Sequence, residues 1–198
     1  MLIEGVQRSF SNTREAIAHG VSIVTQEFSL LPDFSIAENI FLTDNRYYKG
    51  GFLSDKKSMA NKTVELLGLF GMQNDLDPYE KVERLSVAQM QVIEILKAVS
   101  TNAKTIILDE PTASLSTREI EQLFEVVRKL KAGGVGFIIV SHKINEIYEI
   151  SDRITVLRDG RLILNGAITS ELKQNELIKA MVGREVNNLY GERDLNQV

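Results

Sequence analysis

Three short apolar runs in this 198-residue chain close on polar groups suited to handling a phosphate. Val21-Ser22-Ile23-Val24 leads into Thr25-Gln26. Thr105-Ile106-Ile107-Leu108 leads into Asp109-Glu110-Pro111, and Gly136-Phe137-Ile138-Ile139-Val140 into Ser141-His142. Runs of this kind, rich in β-branched residues, read as strands of a sheet covered on both faces. Open parallel sheets bind ligands beyond the C-terminal ends of their strands. The chemistry that suits Gln26, Asp109, Glu110 and His142 is phosphoryl transfer to water. Asp109 can hold Mg²⁺ directly or through its water shell. Glu110 can take a proton from attacking water. His142 can hydrogen-bond a terminal phosphate, and the Gln26 amide can position water or metal. Taken singly these residues say little. An Asp-Glu pair after a strand is often a solvated strand end, a lone His is commonly structural, and a Ser before a helix is a cap.

The elements that must position these groups follow from the pattern. Residues 29–53 read mainly as loops around Pro32, Asp33, Gly50 and Gly51, with a short helix near Ile36–Phe41. Met59, Thr63, Leu66 and Leu67 share one face of a helix from Asp55 to about Leu67, with Gly68 placed to stop it. Ser86 can cap a helix carrying Val92, Ile95, Leu96 and Val99. Ser116-Thr117-Arg118-Glu119 is a capping box opening an amphipathic helix through Ile120, Leu123, Phe124, Val127 and Leu130 that ends at Gly133-Gly134. A short helix carries Ile144, Ile147 and Tyr148. Asp159-Gly160, between Ile154–Leu157 and Leu162–Leu164, signals a hairpin. A last amphipathic helix covers Glu171–Val182, followed by a polar, frayed tail to Val198. Strands alternating with helices give an α/β class with a mainly parallel sheet. The stretch 28–103 carries no convincing core strand and reads as a helical insertion.

Bulk composition narrows the field. Apolar residues make up 43% and charged residues 25%, as in an ordinary folded chain. A net charge of -4 gives no support for a nucleic-acid groove. No cysteine is present, which excludes disulfides and thiolate metal sites. Met1–Gly5 does not read as a signal peptide, and no apolar run approaches the ~18 residues that cross a bilayer. With 3 prolines and no linker-like stretch, one continuous domain is expected.

The order of these features resembles the ATP-binding-cassette (ABC) ATPase family along the whole chain. Gln26 is similar to the family's Q-loop, Leu85-Ser86-Val87-Ala88-Gln89 to its signature and Ile106–Asp109 to Walker B. Glu110 then matches the catalytic carboxylate, Ser114–Thr117 the D-loop and His142 the switch histidine. Glu110-Pro111-Thr112-Ala113-Ser114-Leu115, Ser141-His142-Lys143, Ser151 to Gly160 and Met181-Val182-Gly183-Arg184-Glu185 resemble the N-terminal ATPase domain of simple-sugar importers of the ribose and galactoside type. The resemblance implies a P-loop NTPase-like α/β core over 1–28 and 104–165. It also implies a helical subdomain over 29–103 and a C-terminal helix and tail over 166–198. ATP and Mg²⁺ are the implied cofactors, with Asp109 and Gln26 at the metal and Glu110, His142 and Gln26 catalytic. Ser86, Val87, Ala88 and Gln89 would face ATP held by a second ATPase domain or subunit. A transmembrane permease would meet Phe28–Phe41, placing the chain peripherally on the cytoplasmic face of a membrane, with no nucleic-acid partner.

Departures from the family shape further expectations. No Gly-x-x-x-x-Gly-Lys-Ser/Thr occurs in the sequence, and 25 residues precede Gln26. The chain is therefore expected to begin after the P-loop and its helix, without the N-terminal strands. By itself it is expected neither to complete an ATP site nor to turn ATP over, and to be of low stability. Val87 and Ala88 stand where the family has Gly, and Ser116-Thr117 departs from the usual D-loop ending. Two alternatives compete: a non-enzymatic remnant of a split or mis-started gene, and an ATPase of DNA repair or chromosome maintenance. The latter carries very long coiled coils where this chain has roughly sixty residues without sustained heptads.

Overall fold

The structure is a computed structural model and describes residues 2–3, 5–49 and 53–183. The chain divides into two compact units, 1–140 and 141–198.

The first unit opens with β1 (Leu2–Ile3), β2 (Val6–Gln7), α1 (Thr13–Ala18), β3 (Val21–Val24) and α2 (Ile36–Ile40). It continues through β4 (Tyr48–Lys49), β5 (Leu53–Ser54), α3 (Lys56–Gly68) and α4 (Val87–Ser100) to β6 (Thr105–Asp109), α5 (Thr117–Ala132) and β7 (Gly136–Val140). Its centre is a parallel three-stranded sheet in the order β3-β6-β7. Side chains alternate across it. Ser22, Ile106 and Phe137 share one rung and Val24, Leu108 and Ile139 another. This face is covered, with Ile106 and Leu108 sealed from solvent. The opposite face carries Ile23, Ile107 and Ile138 on one rung, and there Ile23 is 52% and Ile138 49% exposed. The apolar runs read as strands covered twice over, whereas among the described residues this second face is open. Periodicity marks what a strand tolerates, not how many layers lie on it.

α4 packs against α2, β3 and α5, and Ile93, Ile95 and Leu96 on it are fully buried. Its burial extends to Gln91 and Glu94, so it runs through the unit as a central helix rather than lying on its surface. α5 has the clear amphipathic pattern, burying Leu123, Phe124, Val126, Val127 and Leu130. At its start Ser116 donates both its N–H (2.8 Å) and its hydroxyl (2.7 Å) to the Glu119 carboxylate. The hydroxyl is the nearer cause of the lowered Glu119 pKa, followed by the N–H.

The first unit differs from the sequence reading in two respects. Gly68 remains helical and α3 unwinds through Leu69; the left-handed turn falls later, at Gly71, with φ 72°. The short ladders β1-β2 and β4-β5 were not foreseen, since each strand has only 2 residues and leaves no periodic trace.

The second unit holds α6 (Ile144–Ile150), an antiparallel pair β8 (Arg153–Arg158) and β9 (Arg161–Ile168), and α7 (Gln174–Val182). Asp159 and Gly160 both take positive φ (50° and 70°), the signature of a two-residue turn with matching twist. Ile154, Val156 and Leu177 form its core, packed by Ile147, Tyr148 and Leu164. Tyr148 Oη donates to Leu172 O at 2.8 Å. The expected helix from Glu171 begins later, because Glu171 and Leu172 bond back to Ile168 O in a turn before Lys173 caps α7. The tail and the Arg184-Glu185 end of the sugar-importer phrase lie outside the described residues.

Candidate functional site

β3 and β6 deliver their polar residues in register. Val24 and Leu108 share a rung, and Gln26 and Glu110 each follow two residues later. Gln26 is exposed, and Asp109 is the half-buried last residue of β6, paired with Val140. Glu110 sits at φ 47°, in the left-handed region that a non-glycine residue rarely adopts. Such a conformation persists only where neighbours over-determine it. Here the Glu110 N–H donates to Val140 O at 2.9 Å, and its carbonyl accepts from Ala113 N at 3.2 Å. Pro111 and Thr112 are buried directly behind it. The turn breaks the strand alternation at the point where two carboxylates follow one another, and Oε2 of Glu110 lies out of reach of bulk solvent.

The Ser86 step is built by a reciprocal cap. Ser86 Oγ accepts from Gln89 N (3.2 Å) and Gln89 Oε1 accepts from Ser86 N (2.8 Å), closing the first turn of α4. Ser86 and Val87 are exposed, Ala88 and Gln89 half-buried. Val87 and Ala88 occupy the first helical positions, whose N–H groups have no carbonyl to reach within the helix. They point along the positive end of the helix dipole. Neither residue has positive φ, so glycine is not needed for the backbone here.

The segment after Gln26 is held by residues that the sequence reading passed over. Asn39, with no exposed surface, accepts from Leu31 N (2.7 Å) and donates to Leu31 O (3.0 Å), Ser35 O (3.0 Å) and Phe34 O (3.3 Å). Ser35 and Glu38 form a capping box at the start of α2, and Lys56 Nζ reaches Glu38 Oε1 at 2.9 Å. Partial burial works to raise the Glu38 carboxyl, but Lys56 and the two Ser35 donors outweigh it and hold it at about 2. The Ser-x-x-Glu spacing at Ser35 was the signal that could have revealed this cap. Beside it lies an open cleft of about 230 Å³ lined by Asp33, Glu38, Lys56, Tyr79 and Lys81. Tyr79 is exposed there.

His142 follows β7 by two residues, is exposed, and belongs to the second unit, where Lys143 N donates to Ser141 Oγ at 3.1 Å. The residues brought together within the first unit are therefore Gln26, Asp109 and Glu110 on one sheet rim, with Ser86 to Gln89 as a separate helix start.

Among the described residues no three His, Cys, Asp or Glu side chains cluster as a metal cage. Mg²⁺ in nucleotide sites takes one or two carboxylates and fills its remaining positions with phosphate oxygens and water. A single strand-end carboxylate, Asp109, fits that requirement.

The fold is that of the P-loop NTPase class. It aligns with a solved ATP-binding cassette of an ABC transporter at TM-score 0.72 and 24% identity, covering 87% of this chain and 71% of that one. Residues 1–113 match the ABC transporter family profile. A ribose import ATP-binding protein of Lacticaseibacillus paracasei is 42% identical over 193 residues, which are 98% of this chain and 38% of that protein. A galactose/methyl galactoside import ATP-binding protein of Fusobacterium nucleatum is 41% identical over 194 residues, again 98% and 38%. The chain belongs to the ABC transporter family, as an ATP-binding domain. It spans less than two fifths of the length of those relatives. No helix among the described residues is long and apolar enough to cross a membrane.

Proposed function

We propose that the chain is part of the ATP-binding component of an importer for a simple sugar, working peripherally on the cytoplasmic face of a membrane beneath a permease. The observation that carries this reading is the in-register pair of strand ends that sets Gln26 beside the strained Asp109-Glu110 turn, in a chain about two fifths identical to ribose and galactoside import proteins. Residues 1–28 and 104–165 make the α/β core, 29–103 the helical subdomain and 166–198 the C-terminal helix and tail. The parallel sheet β3-β6-β7 and the mainly helical stretch between β3 and β6 support this division as far as Val140.

Bound Mg²⁺ would offset charge on the ATP phosphates, with Asp109 and Gln26 as its protein contacts. Glu110 accepts the proton of the attacking water, and its fixed backbone keeps the carboxylate from swinging away. Gln26 orients the water, and His142 donates to the terminal phosphate. The exposed Ser86 hydroxyl and the Val87 and Ala88 N–H groups form a ready anion contact for ATP held by a second ATPase domain or subunit. Phe28–Phe41, with the cleft between Asp33 and Lys81, faces the permease. With no Gly-x-x-x-x-Gly-Lys-Ser/Thr among these 198 residues, this polypeptide alone does not hydrolyse ATP.

The test uses the complete ATP-binding protein with its permease. Glu110→Gln keeps ATP binding while turnover falls by about 100-fold or more, the loss expected for a general base, and uptake of a ribose- or galactose-like sugar stops with it. Undiminished turnover in that variant, or uptake that continues unchanged, overturns the reading.

A further inference from the structure

Glu94 is a buried carboxylate that the proposed chemistry does not use. It lies on α4, 5% exposed, between Ile93 and Ile95, which are fully buried. A charge in such a place is costly unless it is paired and hydrogen-bonded. Its partners come from Ser29, 65 residues away in sequence: the Ser29 N–H donates to Oε1, and the Ser29 hydroxyl reaches Oε1 at 2.9 Å and Oε2 at 3.2 Å. Lys97, one turn on along α4, donates to Ser29 Oγ at 2.9 Å and approaches Ser29 O at 3.4 Å. The order is ammonium to hydroxyl to carboxylate, each bond strengthened by a full charge.

The position of Ser29 gives this clasp its consequence. Thr25–Leu30 has neither helix nor strand. Among the described residues, the hydrogen bonds that leave Gln26–Leu30 are those of Ser29; the Thr25 hydroxyl bonds only to Glu27 O within the segment. The segment is fixed at one end by β3 and at the other by the Asn39 network at Leu31. Between those anchors Glu94 and Lys97 hold it, and they sit on the helix whose first turn presents Ser86. An apolar residue at 94 would pack as its neighbours do, but could not accept a backbone N–H and a hydroxyl together.

We propose that Glu94 is a positioning residue that fastens the segment after Gln26 to α4, so that the docking segment and the Ser86 turn move as one body. This rests on the reading of Phe28–Phe41 as the permease-facing segment. Displacement of the segment by a permease is then passed to Ser86 through the clasp, and the reverse follows.

The chain contains no cysteine, so spin labels at Glu27→Cys and Val87→Cys report the distance across the clasp in the full chain. Amide exchange at Ser29 is read in parallel. In the otherwise native chain the distance distribution is narrow and the amide protected. Glu94→Ala broadens the distribution and speeds Ser29 exchange by roughly tenfold or more, the loss of one hydrogen bond to a charged acceptor. Glu94→Gln retains an acceptor oxygen and restores both readings most of the way, whereas Glu94→Met, of similar length but with no oxygen acceptor, does not, which a mere packing role would not predict. Should Glu94→Ala fail to fold, the double variant Ser29→Ala, Lys97→Met removes the hydroxyl and ammonium links while the residue 29 N–H keeps its bond to Glu94, so a broader distance distribution with the amide still protected is expected. An unchanged distribution in either variant, or unchanged Ser29 exchange in Glu94→Ala, overturns the proposal. Cross-linking of the segment to a permease is scored separately, so the docking reading and the clasp fail independently.

Discussion

Replacing Asn39 should cost the first unit more than any other single polar change, and the amount can be worked from its contacts. The amide is fully buried and serves one donor and three acceptors. Its orientation is fixed, because a flipped amide would set its oxygen against three carbonyls. In Asn39→Ala the carbonyls keep other partners: Leu31 O has Phe34 N (3.1 Å), Phe34 O has Val82 N (3.1 Å) and Ser35 O has the residue 39 amide N–H (3.0 Å). Leu31 N–H alone loses its partner. One stranded donor costs about 1–3 kcal/mol, and the lost side-chain bonds and the void bring the sum to about 2–4 kcal/mol. Asn39→Asp keeps the acceptor for Leu31 N–H but turns a carboxylate oxygen toward the same carbonyls. Its carboxyl is therefore raised above its unfolded value, the folded state binds more protons, and stability falls as pH rises through that window. Asn39→Asp should be at least as damaging as Asn39→Ala at pH 7 and recover on acidification, while Asn39→Ala should not. Urea unfolding followed by circular dichroism at two pH values measures this, with the slope checked for constancy. An Asn39→Ala variant within about 0.5 kcal/mol of the native chain, the scatter of ordinary surface changes, would refute the reasoning.

Two further outcomes concern the same unit. The Glu38 carboxyl is held at about 2 against an ordinary value of 4.5, so its contribution is complete above that ordinary value and is lost as pH falls toward 2. Because Lys56 is largely in water the gain is about 1 kcal/mol; Lys56→Met should lower stability at pH 7 and flatten the acid limb, and an unaltered limb would count against the pairing. The open sheet face predicts self-association of the chain, and Ile138→Lys, at a site 49% exposed, should reduce it without loss of helix content. Sedimentation showing equal association in both chains would mean that Ile138 is not at the contact.

The legible part of this molecule is the part written locally. β3, β6 and β7 announce themselves as apolar runs, although among the described residues only the face of Ile106 and Leu108 is covered. α5 announces itself by Ser116–Glu119 and the spacing of Leu123, Phe124, Val127 and Leu130. The Asp159-Gly160 turn needs two positive φ angles, and few dipeptides supply them so readily. The strand-end set Gln26, Asp109 and Glu110 was readable for the same reason, since a polar residue ending an apolar run stands out at once. What stayed hidden is non-local. Nothing near Glu94 points to Ser29, and a Glu among Val92, Ile93, Ile95 and Leu96 reads as a surface position on the helix period. Asn39 likewise reads as one polar residue in a short helix, although four hydrogen bonds pass through it.

Val87 and Ala88 show how far a motif can be separated from the physics behind it. Glycine at the start of an anion-binding helix serves either a backbone that requires positive φ or a close approach that a Cβ would block. The first reason is absent here, because both residues are helical and the Ser86–Gln89 cap already fixes the turn. Only the second remains. A phosphate approaching this turn meets the exposed Val87 side chain, whereas the half-buried Ala88 methyl is small. In the anion contact proposed above, the phosphate would therefore come past Ser86 and along the N–H groups rather than over Val87. Val87 and Ala88 in place of glycine would shift the direction of that approach while leaving the two N–H groups and the hydroxyl available to it.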